Sequence, residues 1–212
     1  MKDYQQKTLQ AYEDGVDKYQ TSTSEMFWVT ELEKFLSLAP KKPGNLLDVG
    51  CAFGKDTAFL QSKGREAIGV DLSEAFIERA KKVYPNLEFK QMDVLSLDFP
   101  DQTFSAIWSN AVLHHLKDDD VTTALMEFYR VLTEGGIFAA SFKKGKGSEE
   151  IIEKFSSDGK RFYQYQTEGS IKRLVELTGF EVIEIYSLNE RKVFGSKYRD
   201  LDWIWIFAKK VT

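Results

Sequence analysis

The chain has 212 residues, 42% hydrophobic and 29% charged, which is the length and balance of one globular domain rather than of a disordered or fibrous segment. A single cysteine, Cys51, and two histidines exclude an intrachain disulfide and a Cys/His zinc cluster. A net charge of −4 argues against general attraction to a nucleic-acid backbone.

The opening stretch carries acids and glutamines where a signal peptide needs an apolar core, and no run approaches a membrane span. With the lone thiol, a cytoplasmic protein is expected. Residues 3–20 and 25–38 read as helices, the second from the spacing of Phe27, Trp28, Leu32, Phe35 and Leu36. Pro40, Pro43 and Gly44 break the chain there. Leu46, Leu47 and Val49 predict a short buried strand, followed by a helix over 55–63 that stops at Gly64. A strand over 66–70 leads to Ser73, a helix cap, and to a helix with Phe76, Ala80 and Val83 on its apolar face. Strands are predicted at 87–92 and 104–108, a helix at 119–132 ending at Gly135-Gly136, and a strand at 137–142. The alternation implies parallel strands joined by right-handed crossovers. Residues 143–148, KKGKGS, read as a mobile loop. Thr167 caps a helix through 178, with Ile171, Leu174, Val175 and Leu177 inward and Gly179 as its stop. Strands at 180–186 and 203–207 follow, joined by a segment without helical pattern, so they read as an antiparallel hairpin.

In an open parallel sheet, ligands bind beyond the carboxyl ends of the strands. The first end reads Asp48-Val49-Gly50-Cys51-Ala52-Phe53-Gly54. Glycines there let the chain turn tightly and let a ligand lie against the backbone. The spacing is not that of dinucleotide binders, and Asp48 repels a pyrophosphate while suiting a ligand with cationic groups. Both points argue against a nicotinamide oxidoreductase. An ordinary strand–helix turn is the plainer alternative. Asp71 lies about 20 residues after the glycine loop, where a carboxylate accepts both hydroxyls of a ribose, and Leu72 beside it suits an aromatic base. Asp93, with the backbone of Val94, suits the amino edge of adenine, or else Asp93 makes only an Asx turn.

Together these segments resemble the class I S-adenosylmethionine-dependent methyltransferases. The resemblance rests on LLDVGCAFGKDTAFL, AIGVDLSEAFIERAKK, FKQMDVLSLDFPDQTFSAIWSNAVLHHL, FYRVLTEGGIFAASF and YQTEGSIKRLVELTGFEVIEI, five motifs in order over almost the whole chain. It implies a Rossmann-like α/β fold: a seven-stranded, mostly parallel sheet of order 3-2-1-4-5-7-6, strand 7 antiparallel, helices on both faces. It also implies one domain over 1–212, with a helical lid at 1–40, a cofactor-binding half at 44–142 and a C-terminal half at 143–212 that adds a substrate-side segment and the closing hairpin. The implied cofactor is S-adenosyl-L-methionine. Asp48, Gly50, Cys51, Ala52 and Gly54 would surround its methionine and ribose parts. Asp71 would hold the ribose, Leu72 the adenine face, Asp93 and Val94 the adenine edge, and Asn110 and Ala111 would lie near its amino group.

The chain departs from the family at Ala52, where glycine is usual, so that peptide must avoid a glycine-only conformation. Ser105 stands where an acid is common. Cys51 reads as a small buried residue rather than a nucleophile. Asn110-Ala111-Val112-Leu113 lacks the proline motif of DNA amino-methyltransferases. His114, His115 and Tyr19 are the candidate catalytic residues, with the alternative that His115 only orders its loop. Ala111 and His114 occupy positions where some relatives carry metal-binding glutamates, so no metal is expected. Tyr12, Tyr163 and Tyr165 are candidate substrate contacts. Arg161 and Phe162 lie in the same segment, 155–166, expected to form a second lid piece. The implied reaction is methyl transfer to a small-molecule acceptor by a monomer or homodimer without membrane or nucleic-acid partners. The alternatives are a protein or RNA methyltransferase, or a catalytically silent cofactor-binding module.

Overall fold

A computed structural model of the chain describes residues 1–41, 45–153 and 158–211. The helices are α1 (Asp3–Glu13), α2 (Val16–Thr23), α3 (Val29–Leu38), α4 (Lys55–Ser62), α5 (Glu74–Val83), α6 (Asp118–Val131), α7 (Glu168–Leu177) and α8 (Glu190–Phe194). The strands are β1 (Asn45–Val49), β2 (Ala67–Asp71), β3 (Glu88–Gln91), β4 (Phe104–Ser109), β5 (Leu132–Lys143), β6 (Ser148–Ile152), β7 (Lys160–Gln164), β8 (Phe180–Asn189) and β9 (Asp202–Lys210). Seven strands form one sheet in the order β3-β2-β1-β4-β5-β9-β8, and β6 pairs with β7 apart from it. β1 to β5 run parallel, and β9 lies antiparallel between β5 and β8. This is the strand order anticipated above, with β8 and β9 as the sixth and seventh strands. From β1 the chain continues to β2 on one side, and β4 lies on the other. The order therefore reverses beside β1 and opens a crevice at the carboxyl ends of the strands.

Successive residues of a strand face opposite sides of the sheet, and the central strands are apolar on both. Ile107 joins Leu47, Phe128, Leu125 and Ile171 on one face, under α6 and α7. Ala106 and Trp108 join Leu46, Phe35, Leu32 and Trp205 on the other, under α3. Each fully buried Leu, Ile or Phe among them contributes about 1.5–3 kcal/mol, so β1 and β4 form a rigid floor for whatever sits at their ends. Ser73 accepts a hydrogen bond from the Phe76 N–H at the start of α5, and Thr167 accepts one from Ser170 N–H at the start of α7.

Several expectations are corrected. The first predicted helix is two, broken where Gly15 caps α2, and the second starts only at Val29. Val83 and Leu177 are 44% and 72% exposed rather than inward; Ile77 takes the buried place in α5. α6 ends at Val131 and β5 starts at once, so Gly135 and Gly136 lie inside the strand. The register shift against β4, between the pairs Phe104–Leu132 and Ala106–Ile137, absorbs them. KKGKGS is not a loop throughout: Lys143 ends β5 as a buried residue and Ser148 begins β6. The segment between β8 and β9 contains a short helix, α8. Pro43, Gly44 and Phe155 lie outside the described residues.

Candidate active site

The glycine loop after β1 is built by backbone approach. Gly50 has φ +73°, and a Cβ there would lie 1.9 Å from the Val112 Cγ2. The N–H groups of Gly50 and Cys51 both donate to the Val70 carbonyl, at 2.7 and 3.0 Å. Ala52 has φ +46°, so the peptide does not avoid the left-handed region: alanine adopts it, at a cost of about 1–2 kcal/mol. Asp71 holds that strain in place. Its Oδ2 accepts from the Ala52 N–H and its Oδ1 from the Ser73 N–H, both at 2.9 Å. Burial pushes the Asp71 carboxyl up to about 6, against these N–H groups, which favour the charged form. Gly54 lies off both cavity walls, and its missing Cβ makes room for Phe89, whose Cζ would lie 2.5 Å away.

Two cavities open at the strand ends and share Tyr12, Tyr19, Gly50, Ala52, Asn110 and Ala111. One is lined by Val70, Asp71, Leu72, Met92, Asp93, Val94 and His115. In it Asp93 closes an Asx turn, accepting from the Leu95 N–H at 2.9 Å. The other carries Asp48, Cys51, Lys55, Asp56, His114 and Tyr163. Asp48 accepts from the Thr57 hydroxyl at 2.6 Å; burial and the neighbouring Asp56 charge push its carboxyl well up. Asp56 accepts from Trp108 Nε1 at 2.9 Å and from Asn110 Nδ2 at 3.3 Å. The Ser141 hydroxyl donates to Asn110 Oδ1 and accepts from the Ala111 N–H, each at 2.8 Å. Burial and nearby carboxylates push the Cys51 thiol well up, which leaves it inert as a nucleophile.

Above the shared wall lie α1 and α2. Tyr12 and Tyr19 meet edge to face at 5.2 Å. Tyr12 Oη lies 2.8 Å from His115 Nε2, and His115 Nδ1 lies 2.7 Å from the Phe162 carbonyl oxygen. A carbonyl only accepts, so His115 carries its proton on Nδ1 and its Nε2 accepts from Tyr12. His114 Nε2, 3.1 Å from His115 Nε2, must then be a donor as well. His114 Nδ1 is left as an acceptor with no partner among the described residues. Both rings are neutral: burial, with Arg161 and Lys143 close by, pushes His115 down to about 3 and holds His114 well below its ordinary value.

Along β7, Arg161 and Tyr163 face the cavity while Phe162 turns to Tyr4, with ring centroids 4.6 Å apart. Tyr165 is corrected. It packs over Gly145, donates to Glu149 at 2.7 Å and is not on the wall. A charged cluster, only part of which the sequence indicated, completes the wall. Glu153 accepts from Lys143, from Arg161 at 3.1 Å, from Tyr163 Oη at 2.7 Å and from Arg199 at 2.9 Å. The fully buried Glu190 accepts from Arg199 and from Trp203 Nε1, at 2.7 and 3.0 Å. The sequence pointed here only through Arg161 and Tyr163 in the segment 155–166; Lys143, Glu153, Glu190 and Arg199 were not singled out. Among the described residues, no three His, Cys, Asp or Glu side chains are grouped to hold a metal, and no helix is long and apolar enough to cross a membrane.

A doubly wound sheet with a strained glycine loop, a strand-two carboxylate and an antiparallel last strand defines the methyltransferase variant of the Rossmann-like fold. A methyltransferase-domain family model matches residues 46–136. A methyltransferase of Schizosaccharomyces pombe is 30% identical over 138 residues, 59% of this chain and 49% of that protein. An S-adenosylmethionine-dependent methyltransferase of Methanosarcina mazei superposes with a TM-score of 0.72 at 20% identity, covering 83% of this chain and 96% of the other. The 1,6-didemethyltoxoflavin N1-methyltransferase of Burkholderia thailandensis gives 0.72 at 22% identity, covering 96% and 85%. Residues 46–136 thus match the methyltransferase-domain family, and the fold is that of S-adenosylmethionine-dependent methyltransferase structures. It spans half or less of the length of the curated relatives it matches first.

Proposed function

We propose that the chain transfers a methyl group from S-adenosylmethionine to a small acceptor held between the end of β4 and a cover made by α1, α2 and β7. The observation that carries this is the pair of cavities meeting at Gly50, Ala52, Asn110, Tyr12 and Tyr19. The residues fit the cofactor. Gly50 has no room for a Cβ, and the loop beside it already holds left-handed backbone at Gly50 and Ala52. Asp71 with Leu72, Asp93 and Val94 would hold the adenosine part. Asp56, Asn110 and Ala111 would hold the amino-acid part.

The cofactor supplies a methyl group already made electrophilic by its sulfonium. The protein's work is alignment and exclusion of water, worth several kcal/mol. Tyr12 and Tyr19 cover the junction and keep their protons, since burial pushes both phenols up. The Nδ1 of His114 offers an acceptor to the nucleophile's N–H or O–H, while its neutral state makes it an orienting group rather than a strong base. The enclosed wall favours a small acceptor, in keeping with the Burkholderia neighbour, whose structure holds 1,6-didemethyltoxoflavin with S-adenosylhomocysteine. Calorimetry tests the reading. Saturable binding of S-adenosylmethionine and S-adenosylhomocysteine is expected; saturable NAD binding with no response to either would overturn it.

A further inference from the structure

The cluster of Lys143, Glu153, Arg161, Tyr163, Glu190 and Arg199 is more than a structural ion pair. It holds three cations and two carboxylates. Both Glu153 oxygens are already taken, Oε1 by Lys143 and Arg199 and Oε2 by Arg161 and Tyr163. Glu190 is spent on Arg199 and Trp203. The residues following Glu153, Lys154-Phe155-Ser156-Ser157, bring no carboxylate. Lys143 is 2% exposed and Arg161 1%, whereas Arg199 keeps 24% of its side chain exposed, so water reaches the cluster at Arg199 and hardly at the other two cations. Burying an uncompensated cation costs several kcal/mol. Lys143 has three ammonium donors; one meets Glu153, and the ammonium lies 3.5 Å from the centroid of the Tyr163 ring. The cluster does not sit inside the core. Lys143 ends β5, Arg161 and Tyr163 come from β7, and Arg199 precedes β9, yet all line the cavity that also carries Gly50, Asn110 and His114.

We infer that this wall binds an anionic oxygen group, carboxylate or phosphate, of the methyl acceptor, with Lys143 and the two arginines as its counter-charges. The inference rests on the methyltransferase reading and names its substrate class. An acceptor with an anionic end against β5 and β7 would be anchored away from its nucleophile, which then points toward Asn110 and His114. The cofactor, whose sulfonium and ammonium outweigh its carboxylate by one charge, adds to the positive field of the cavity and strengthens its demand for an anion.

The test is calorimetric titration of inorganic phosphate, and separately of acetate, into protein saturated with S-adenosylhomocysteine. The wild type is expected to bind at least one of the two anions at one site, and which one it binds distinguishes the two chemistries. Lys143→Met should weaken that binding by about tenfold or more, as loss of a charge-assisted partner does. Tyr163→Phe, which keeps the ring and the fold, should weaken it by a smaller factor. Neither variant should change affinity for S-adenosylhomocysteine. No anion binding to the wild-type complex overturns the inference, and so does binding unchanged in Tyr163→Phe and in folded Lys143→Met. Loss of S-adenosylhomocysteine affinity in the variants, with phosphate competing against it, assigns the charges to the cofactor's own carboxylate and overturns it equally. Failure of the wild type to bind S-adenosylhomocysteine at all is a different result, and refutes the methyltransferase reading instead.

Discussion

Asp71 does two jobs with one carboxylate. It fixes the left-handed Ala52 peptide and the start of α5 through backbone N–H groups, and it lines the cavity that also carries Leu72, Asp93 and Val94. Asp71→Ala should cost about 2–4 kcal/mol of cofactor affinity, since bonds to a charged acceptor are worth up to about 3 kcal/mol each and are not additive. Unchanged affinity in a folded variant would remove Asp71 from the site. The carboxyl is pushed up to about 6 by burial, and the charged form is the strong acceptor. Affinity for S-adenosylhomocysteine should therefore hold above that value and fall as pH drops through it, by up to about tenfold per pH unit. Titrations between pH 7.5 and 5 check this, and Asp71→Ala should show no such slope. A flat wild-type profile would mean that the ribose is held by something other than the ionised carboxylate.

α1 is attached to the rest of the molecule by polar contacts more than by core. Tyr4 and Lys2 bond Asp120, Thr8 accepts from the Phe162 N–H at 2.9 Å, and Tyr12 donates to His115. None of the buried residues of the three apolar clusters comes from α1 or α2. Deleting residues 1–20 should therefore leave the sheet folded while lowering methyl transfer by about tenfold or more, because the wall that excludes water is gone. Matched melting curves and turnover decide it: a loss of stability that accounts for the lost activity makes α1 scaffold rather than lid. The strand-end residues of this site were legible because β1, β2 and β4 announce themselves as short apolar runs, and topology then fixes where their ends lie. β6 was not legible: Ser148, Glu149 and Glu150 are exposed and pair with β7 through backbone bonds, without an apolar face. Lys143 was misread as loop because the groups it meets, Glu153, Arg161 and Arg199, are brought beside it only by the tertiary fold.

The whole molecule carries a net charge of −4 yet gathers Lys143, Arg161 and Arg199 around its inner cavity. That reversal bears on stability as well as on ligand choice. His115 sits beside these cations and within reach of Arg161, and burial with their charge holds it down to about 3. The unfolded chain protonates the same ring near 6.5. Between those two values the unfolded state binds the extra proton. The histidine's contribution is therefore complete above about 6.5 and is lost as pH falls, at about 1.4 kcal/mol per pH unit. Asp71 runs the other way, since its raised carboxyl takes up a proton in the folded state first, so the total acid profile is a difference of opposing slopes. Comparing two proteins isolates the histidine. His115→Gln can still accept from Tyr12 and donate to the Phe162 carbonyl, but it has no proton to gain. Its stability relative to wild type should improve by about 2–3 kcal/mol between pH 6.5 and 4.5, read from urea unfolding at each pH. A difference that stays constant across that range would show that His115 already charges in the folded protein, and that the cations of the inner wall do not reach it.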